Sequence, residues 1–199
     1  MIYNILLVGT GGQGVITISK ILASAAMSKE LKVIVTQKKG LAQRGGSVGA
    51  QVRMGDVYSP QIPKYSSDSL LSMDMNETFR YIDYMNKDTI LIINTKIIND
   101  NSFLSKKEKV QQEEIKQLQK SVNDNIFLID ADLKARQEGM DRAANLYLLG
   151  ILFGVDNRIN SLLTKDDIAK SLKKNIRENT ELNMELFNKG IDFAKSKRI

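Results

Sequence analysis

The sequence predicts an α/β fold of the doubly wound kind: a mainly parallel sheet flanked by helices, with a further helical segment at the carboxyl end. Three observations carry this expectation. Residues 2–8 form a short, continuous apolar run that stops at a cluster of glycines, as a strand buried on both faces does. Residues 15–27 follow with Ile18, Ile21, Leu22 and Ala25 at helical spacing, and residues 31–36 supply the next apolar run. The chain therefore opens strand, tight turn, helix, strand. From residue 141 the pattern changes to helix after helix. We expect an α/β domain over residues 1–140, with the helices of residues 141–199 packed on it.

The remaining elements follow in order. Residues 38–46 are polar and punctuated by glycine, and in residues 47–54 Val48, Ala50, Val52 and Met54 alternate with other types, which predicts a half-exposed strand. Pro60 and Pro63, the only two prolines, each fix φ and lack a donor, so residues 59–64 are expected as an extended edge or loop. Residues 69–73 and 89–94 read as strands, separated by a helix over 77–85 in which Phe79, Ile82 and Met85 share a face. A lysine- and glutamine-rich helix is expected over 105–122, with a thin apolar stripe of Val110, Ile115, Leu118 and Val122. Residues 126–129 are the last strand. Helices then follow over 142–155, 165–174 and 177–195, the middle one entered through Thr164 as N-cap with Asp167 at N3.

With 199 residues and 42% apolar content, the chain can bury one substantial core. Its net charge of +6 favours an anionic partner in principle. Yet Lys and Arg are spread over both halves, and Lys106-Lys107 and Lys173-Lys174 sit on expected helix faces. No aromatic and basic pattern of a nucleic-acid reader is present, with six Tyr, six Phe and no Trp. The absence of Cys and His removes thiolate-held clusters, zinc sites, Cys nucleophiles and His-based triads. The first residues lack a basic leader, and no apolar run approaches the roughly 20 residues of a membrane helix. A cytoplasmic protein with no membrane or nucleic-acid partner is expected.

Gly9-Thr10-Gly11-Gly12-Gln13-Gly14 matches G-x-G-x-x-G after a buried strand and before a helix, the place that a Rossmann-like fold requires. Glycines there let the backbone turn sharply and approach a phosphate at the positive end of the helix. A site for NAD would add an acid at the end of the second strand. Here that place holds Thr36-Gln37-Lys38-Lys39, which disfavours NAD and suits a phosphorylated ribose, as in NADP or coenzyme A. The alternative is that the glycines only let the first helix pack on the sheet while Lys38 and Lys39 stay in water.

A second constellation is Ala42-Gln43-Arg44-Gly45-Gly46-Ser47. An arginine between glycines on a loop at the carboxyl end of a sheet can offer its planar fork to a phosphate, a carboxylate or a partner's backbone. Asp130, Asp132 and Glu138, like Asp74 and Glu77, read as loop and helix-start residues. No catalytic residue and no metal ligand is assigned.

Three motifs in order, Leu7 to Val15, Gly40 to Val48 and Val57 to Pro63, resemble the gamma-type subunit of 2-oxoacid:ferredoxin oxidoreductases. The Ala-Gln-Arg-Gly-Gly form is most similar to the beta subunit of the indolepyruvate enzymes. Arg142-Ala143-Ala144-Asn145 and Leu148-Leu149-Gly150 extend the resemblance over nearly the whole chain.

The resemblance implies a complex that oxidatively decarboxylates an aryl 2-oxoacid, captures the acyl group on coenzyme A and reduces ferredoxin. Thiamine diphosphate and iron–sulfur clusters are then expected on a larger partner subunit, and the chain itself lacks a G-D-G…N-N thiamine signature. Gly9, Gly11, Gly12, Gln13, Gly14, Lys38, Lys39 and Arg44 become the candidates for contact with coenzyme A. Gln43, Arg44, Gly45, Gly46, Pro60 and Pro63 become the candidates for the partner interface. Other readings stay open: a gamma subunit acting on pyruvate or another 2-oxoacid, a stand-alone NADP- or flavin-binding oxidoreductase, an adenylating enzyme of the ubiquitin-activating type, or a non-enzymatic interaction protein.

Overall fold

The apolar run at the start of the chain becomes an inner strand of a six-stranded sheet. The computed structural model describes residues 1–40, 46–95, 115–116, 118–120, 122, 125–140, 143–176 and 178–197. The strands are β1 (Ile2–Thr10), β2 (Val33–Lys39), β3 (Ser47–Gly55), β4 (Ser69–Ser72), β5 (Ile90–Asn94) and β6 (Ile126–Ile129), in the spatial order β2-β3-β1-β4-β5-β6. Parallel pairs join β1 to β4, β4 to β5 and β5 to β6. The α/β class and the mostly parallel sheet expected from the sequence are present.

The order of the first three strands differs from the simple strand–helix–strand reading. Strand β3 runs antiparallel between β1 and β2, pairing Thr10 with Ser47 on one side and Lys39 with Val48 on the other. Nor is β3 half-exposed: Gly49 to Met54 are buried. Its alternation separates two covered faces. Ala50, Val52 and Met54 join one core, whereas Gln51 and Arg53 face a covering segment on the other.

That segment is the proline-bearing stretch. Arg53 donates from Nη1 to the carbonyls of Ser59 (2.7 Å) and Gln61 (2.8 Å), and from Nε to Asn4 Oδ1 (2.9 Å). Ile62 N donates to Gln51 Oε1 at 2.7 Å, and Thr36 Oγ1 donates to the Pro60 carbonyl at 2.9 Å. Buried polar groups are tolerable only when so partnered. Ile62 is buried, while Tyr58 and Tyr65 are 77% and 64% exposed.

Two hydrophobic clusters flank the sheet. Ile5 and Leu7 face α1 (Val15–Ser28) and the C-terminal helices; Leu6 and Val8 face Ile62, Met85, Leu118 and Val122. All four β1 side chains are fully buried, and each such aliphatic side chain contributes about 1.5–3 kcal/mol. The expected helix over 77–85 is instead a four-residue turn, α2 (Met75–Thr78), running into a 3-10 helix over Phe79–Tyr84. Of the expected helix over 105–122, residues 115–116 and 118–120 are helical and Val122 lies in a bend; the rest, Val110 included, lies outside the described residues.

After β6 come α3 (Ala131–Gln137), α4 (Ala144–Val155), α5 (Asn157–Leu162), α6 (Lys165–Asn175) and α7 (Thr180–Ser196). Helices α3 and α5 are additions to the sequence reading. Helix α4 is apolar on all sides because it lies between the sheet and α7, the arrangement of a fully buried helix. Gly150 permits this: a Cβ there would lie 2.0 Å from the Phe187 carbonyl oxygen. At the amino end of the sheet the Tyr3 hydroxyl donates to Asp156 Oδ2 at 2.6 Å, and Arg158 bridges Asp156 (2.9 Å) and Asp68 (3.1 Å). Burial and the neighbouring Asp156 push the Tyr3 hydroxyl well up, and burial likewise raises the Asp68 carboxyl.

Candidate functional site

The glycine turn lies at the carboxyl end of the sheet, at the point where the chain changes faces. Strands β1 and β4 are parallel neighbours, yet the helix after β1 joins one hydrophobic cluster and the helical turns after β4 join the other. A crevice opens where connections diverge in this way, and ligands of open α/β sheets bind there.

The turn is built from the residues that its backbone demands. Gly12 and Gly14 have φ of 99° and 82°, a region costly for residues with a Cβ. Thr10 N donates to Gln13 Oε1 at 2.7 Å, so the Gln13 side chain folds back to close the turn. Gly14 is the N-cap of α1, with no side-chain cap and no acid in the first turn. The first intrahelical bond is Ile18 N to the Gly14 carbonyl, at 3.0 Å. The amides of Val15, Ile16 and Thr17 thus have no acceptor within the helix and carry its positive end.

The structure brings other segments onto this turn. Gly11 N donates to the Gly46 carbonyl at 2.9 Å, which places the exit of the glycine-rich loop directly on it. Ser47, the first residue of β3, donates through Oγ to Glu77 Oε2 at 2.5 Å, and Arg80 Nε approaches the same carboxylate at 3.3 Å. From the opposite face, Asn145 in the first turn of α4 donates to the Gly14 carbonyl at 3.4 Å. Asn145 and Glu77 are 6% and 8% exposed. A third tie closes the neighbouring strand ends: Asn94 Nδ2 donates to Asp132 Oδ2 at 2.6 Å, and Ala131 N donates to Asn94 Oδ1 at 3.0 Å.

Gly9, Gly11, Gly12, Gln13, Gly14 and Gly46 therefore lie together. Lys38 and Lys39 end β2, opposite Gly49 and Val48 of β3. Two strand spacings separate them from β1, about 10 Å. Gln43, Arg44 and Gly45 lie outside the described residues. Pro60 and Pro63 belong to the exposed ribbon across β2 and β3, away from the turn. Asp74 and Asp130 cap α2 and α3, accepting from Asn76 N (3.0 Å) and Leu133 N (2.8 Å). Among the described residues, no group of three or more His, Cys, Asp and Glu could hold a metal ion, and no helix is long and apolar enough to cross a membrane.

Sequence reasoning named Ser47 and Asn145 only as members of motifs and Asn94 only as the end of a strand, and gave neither these nor Glu77 a specific task. Asn145 had a signal, as a lone polar residue opening an otherwise apolar helix. Glu77 and Ser47 are 30 residues apart, and nothing in their local pattern pairs them.

A family model described as pyruvate ferredoxin/flavodoxin oxidoreductase matches residues 4–193. An indolepyruvate oxidoreductase subunit IorB from Archaeoglobus fulgidus is 39% identical over 153 residues, covering 76% of each chain. Its namesake from Pyrococcus horikoshii is 30% identical, covering 97% of this chain and 96% of its own. Among solved structures, the gamma subunit of a keto/oxoacid ferredoxin oxidoreductase from Geobacter sulfurreducens superposes with a TM-score of 0.68 at 20% identity, over 98% of this chain and 99% of its own. The 2-oxoglutarate:ferredoxin oxidoreductase from Magnetococcus marinus, solved with 2-oxoglutarate, coenzyme A and succinyl-CoA bound, gives 0.73 at 18% identity. There the match spans 98% of this chain and 31% of that longer one.

Proposed function

Because this chain belongs to the pyruvate ferredoxin/flavodoxin oxidoreductase family, as the small subunit of an indolepyruvate-type oxidoreductase complex, we propose that its glycine-turn crevice contributes to the coenzyme A site of that complex. The reaction assigned to the complex is oxidative decarboxylation of an aryl 2-oxoacid: carbon dioxide leaves, the acyl group passes to the thiol of coenzyme A, and the electron pair passes to ferredoxin. A larger partner subunit holds the thiamine diphosphate and the iron–sulfur clusters. Cluster ligation does not fit this chain, which has neither cysteine nor histidine.

Coenzyme A does fit. It brings phosphates and a thiol acceptor, and this chain's part is to hold and orient the phosphates. The observation that carries the reading is the glycine turn itself: two residues at positive φ opening an uncapped helix at the face-switch of the sheet. The free amides of Val15, Ile16 and Thr17 supply directional donors to an anion. Lys38 lies at the end of β2, at this end of the sheet, and we assign its charge, with those of Lys39 and Arg44, to the phosphates of coenzyme A. The test is a complex assembled with Gly14→Ala. A Cβ at Gly14 meets Asn145 Nδ2 at 1.9 Å and forces a disfavoured φ, so the KM for coenzyme A should rise more than kcat falls. Tight binding of NADP or a flavin by the chain alone would count for a stand-alone oxidoreductase instead.

The exposed ribbon bearing Pro60 and Pro63 is the surface we assign to the partner subunit, together with the loop of Gln43, Arg44, Gly45 and Gly46. The ribbon's backbone is held from beneath by Arg53, Gln51 and Thr36, so little ordering is left to pay for on docking. Tyr58 and Tyr65 give it the aromatic anchors that interfaces favour.

A further inference from the structure

We infer that Glu77 is a positioning residue for the glycine turn, acting through Ser47; the inference rests on the reading of the turn as part of the coenzyme A site. The β1–β3 ladder ends at the Thr10–Ser47 pair. Beyond it a backbone bond from Gly11 N to the carbonyl of Gly46, the residue before β3, ties the turn to that strand. Whatever fixes Gly46 therefore fixes that edge of the turn. The next residue, Ser47, donates to Glu77, and Glu77 belongs to the helical turn that follows β4, on the far wall of the crevice. One carboxylate thus links three segments that border the crevice: the turn after β1, the start of β3, and α2.

The choice of residue supports a positioning task. A carboxylate this deeply buried is costly unless hydrogen-bonded and paired, and Glu77 has both compensations, from the Ser47 hydroxyl and the Arg80 guanidinium. Arg80 is itself largely exposed, so its charge holds the carboxylate without drawing it inward. On the opposite face Asn145 grips the other end of the turn at Gly14. The turn is clamped at both ends by side chains from different elements, and Glu77–Ser47 is the clamp on the β3 side. Geometry that must be kept within a fraction of an ångström for ligand contact is normally held by such supporting groups.

The test uses the assembled two-subunit complex carrying Glu77→Ala, Glu77→Gln, Ser47→Ala or Gly14→Ala. For each, the KM for coenzyme A, the KM for the 2-oxoacid, kcat and the hydrogen exchange of the peptide covering residues 9–14 are measured. Glu77→Ala and Ser47→Ala should each raise the KM for coenzyme A on the order of tenfold, as expected for loss of a charge-assisted hydrogen bond. The KM for the 2-oxoacid should stay put, and residues 9–14 should exchange faster. Glu77→Gln keeps an acceptor for Ser47 and should recover most of the loss. Should Glu77→Ala fail to assemble, Ser47→Ala, which deletes a single oxygen, carries the same test.

A raised KM in Gly14→Ala with wild-type KM and exchange in Glu77→Ala and Ser47→Ala overturns the inference and leaves the site reading intact. An unmoved KM in Gly14→Ala sinks the site reading, and the inference falls with it. Loss of kcat and melting temperature at unchanged KM would also overturn it, by making Glu77 merely structural.

Discussion

Tyr65 sits at φ of 57°, a left-handed conformation that costs an L-residue about 1–2 kcal/mol. Its side chain is 64% exposed, so burial does not repay that cost. Tyr65→Gly should therefore raise the melting temperature of the isolated chain by about 2 °C, once the greater freedom of glycine in the unfolded chain is subtracted. The same variant should weaken assembly with the partner subunit, if Tyr65 anchors the ribbon as proposed. A calorimetric scan checks the first outcome and size-exclusion of the co-expressed subunits the second. Asp167 behaves in the opposite way. Burial raises its carboxyl, but hydrogen bonds from the Thr164 amide and hydroxyl outweigh this, Lys29 adds to them, and the group is held below the ordinary carboxylate range. Its ionised form stabilises the fold at neutral pH, and that contribution is lost as the pH falls through the lowered pKa. The stability deficit of Asp167→Asn should thus shrink as urea melts are taken below about pH 4.

Among the elements, α6 tests how far local rules suffice. Its capping box joins Thr164 and Asp167 in both directions, and Thr164→Ala should cost about 1 kcal/mol in a denaturant melt. The α4–α7 crossing tests packing instead. Gly150→Ala would improve helix propensity by about 1 kcal/mol, but its methyl would strike the Phe187 carbonyl. We expect a net loss of about 1–3 kcal/mol, and a more stable variant would show that the helices can part. These elements also mark where sequence reading stops. The glycine turn, α1 and the Thr164 cap were legible because each rests on contiguous residues. The place of β3 was not, since alternation reports which faces a strand has and not which strand lies beside it. Gln51 and Arg53 looked solvent-facing because their partners, the carbonyls of Ser59 and Gln61 and the Ile62 amide, leave no side-chain pattern. Helices α3 and α5, of seven and six residues, are too short for periodicity to settle. The Glu77–Ser47 and Asn145–Gly14 contacts join residues 30 and 131 positions apart, which only the folded chain can reveal.

For the whole molecule, the two ends of the sheet divide the labour. The amino end is closed by the Tyr3–Asp156–Arg158–Asp68 network; the carboxyl end carries the glycine turn with its positive φ residues. A chain without thiolate or imidazole ligands should show no 2-oxoacid oxidation alone, whereas co-expression with the larger subunit proposed above should give a brown, active, cluster-bearing complex. Turnover by the isolated chain would disprove the division of cofactors proposed above. The antiparallel β3 has a further effect on how the protein comes into being. Strand β1 leaves the ribosome first, yet one of its flanking partners is completed only at Gly55 and the other only at Ser72. Until then nascent β1 has neither of its flanking strands, and the more local β2–β3 pairing is expected to form ahead of the β1–β3 pairing. The glycine turn would then be fixed late, since its edge is set by the last pair of that ladder, Thr10 with Ser47.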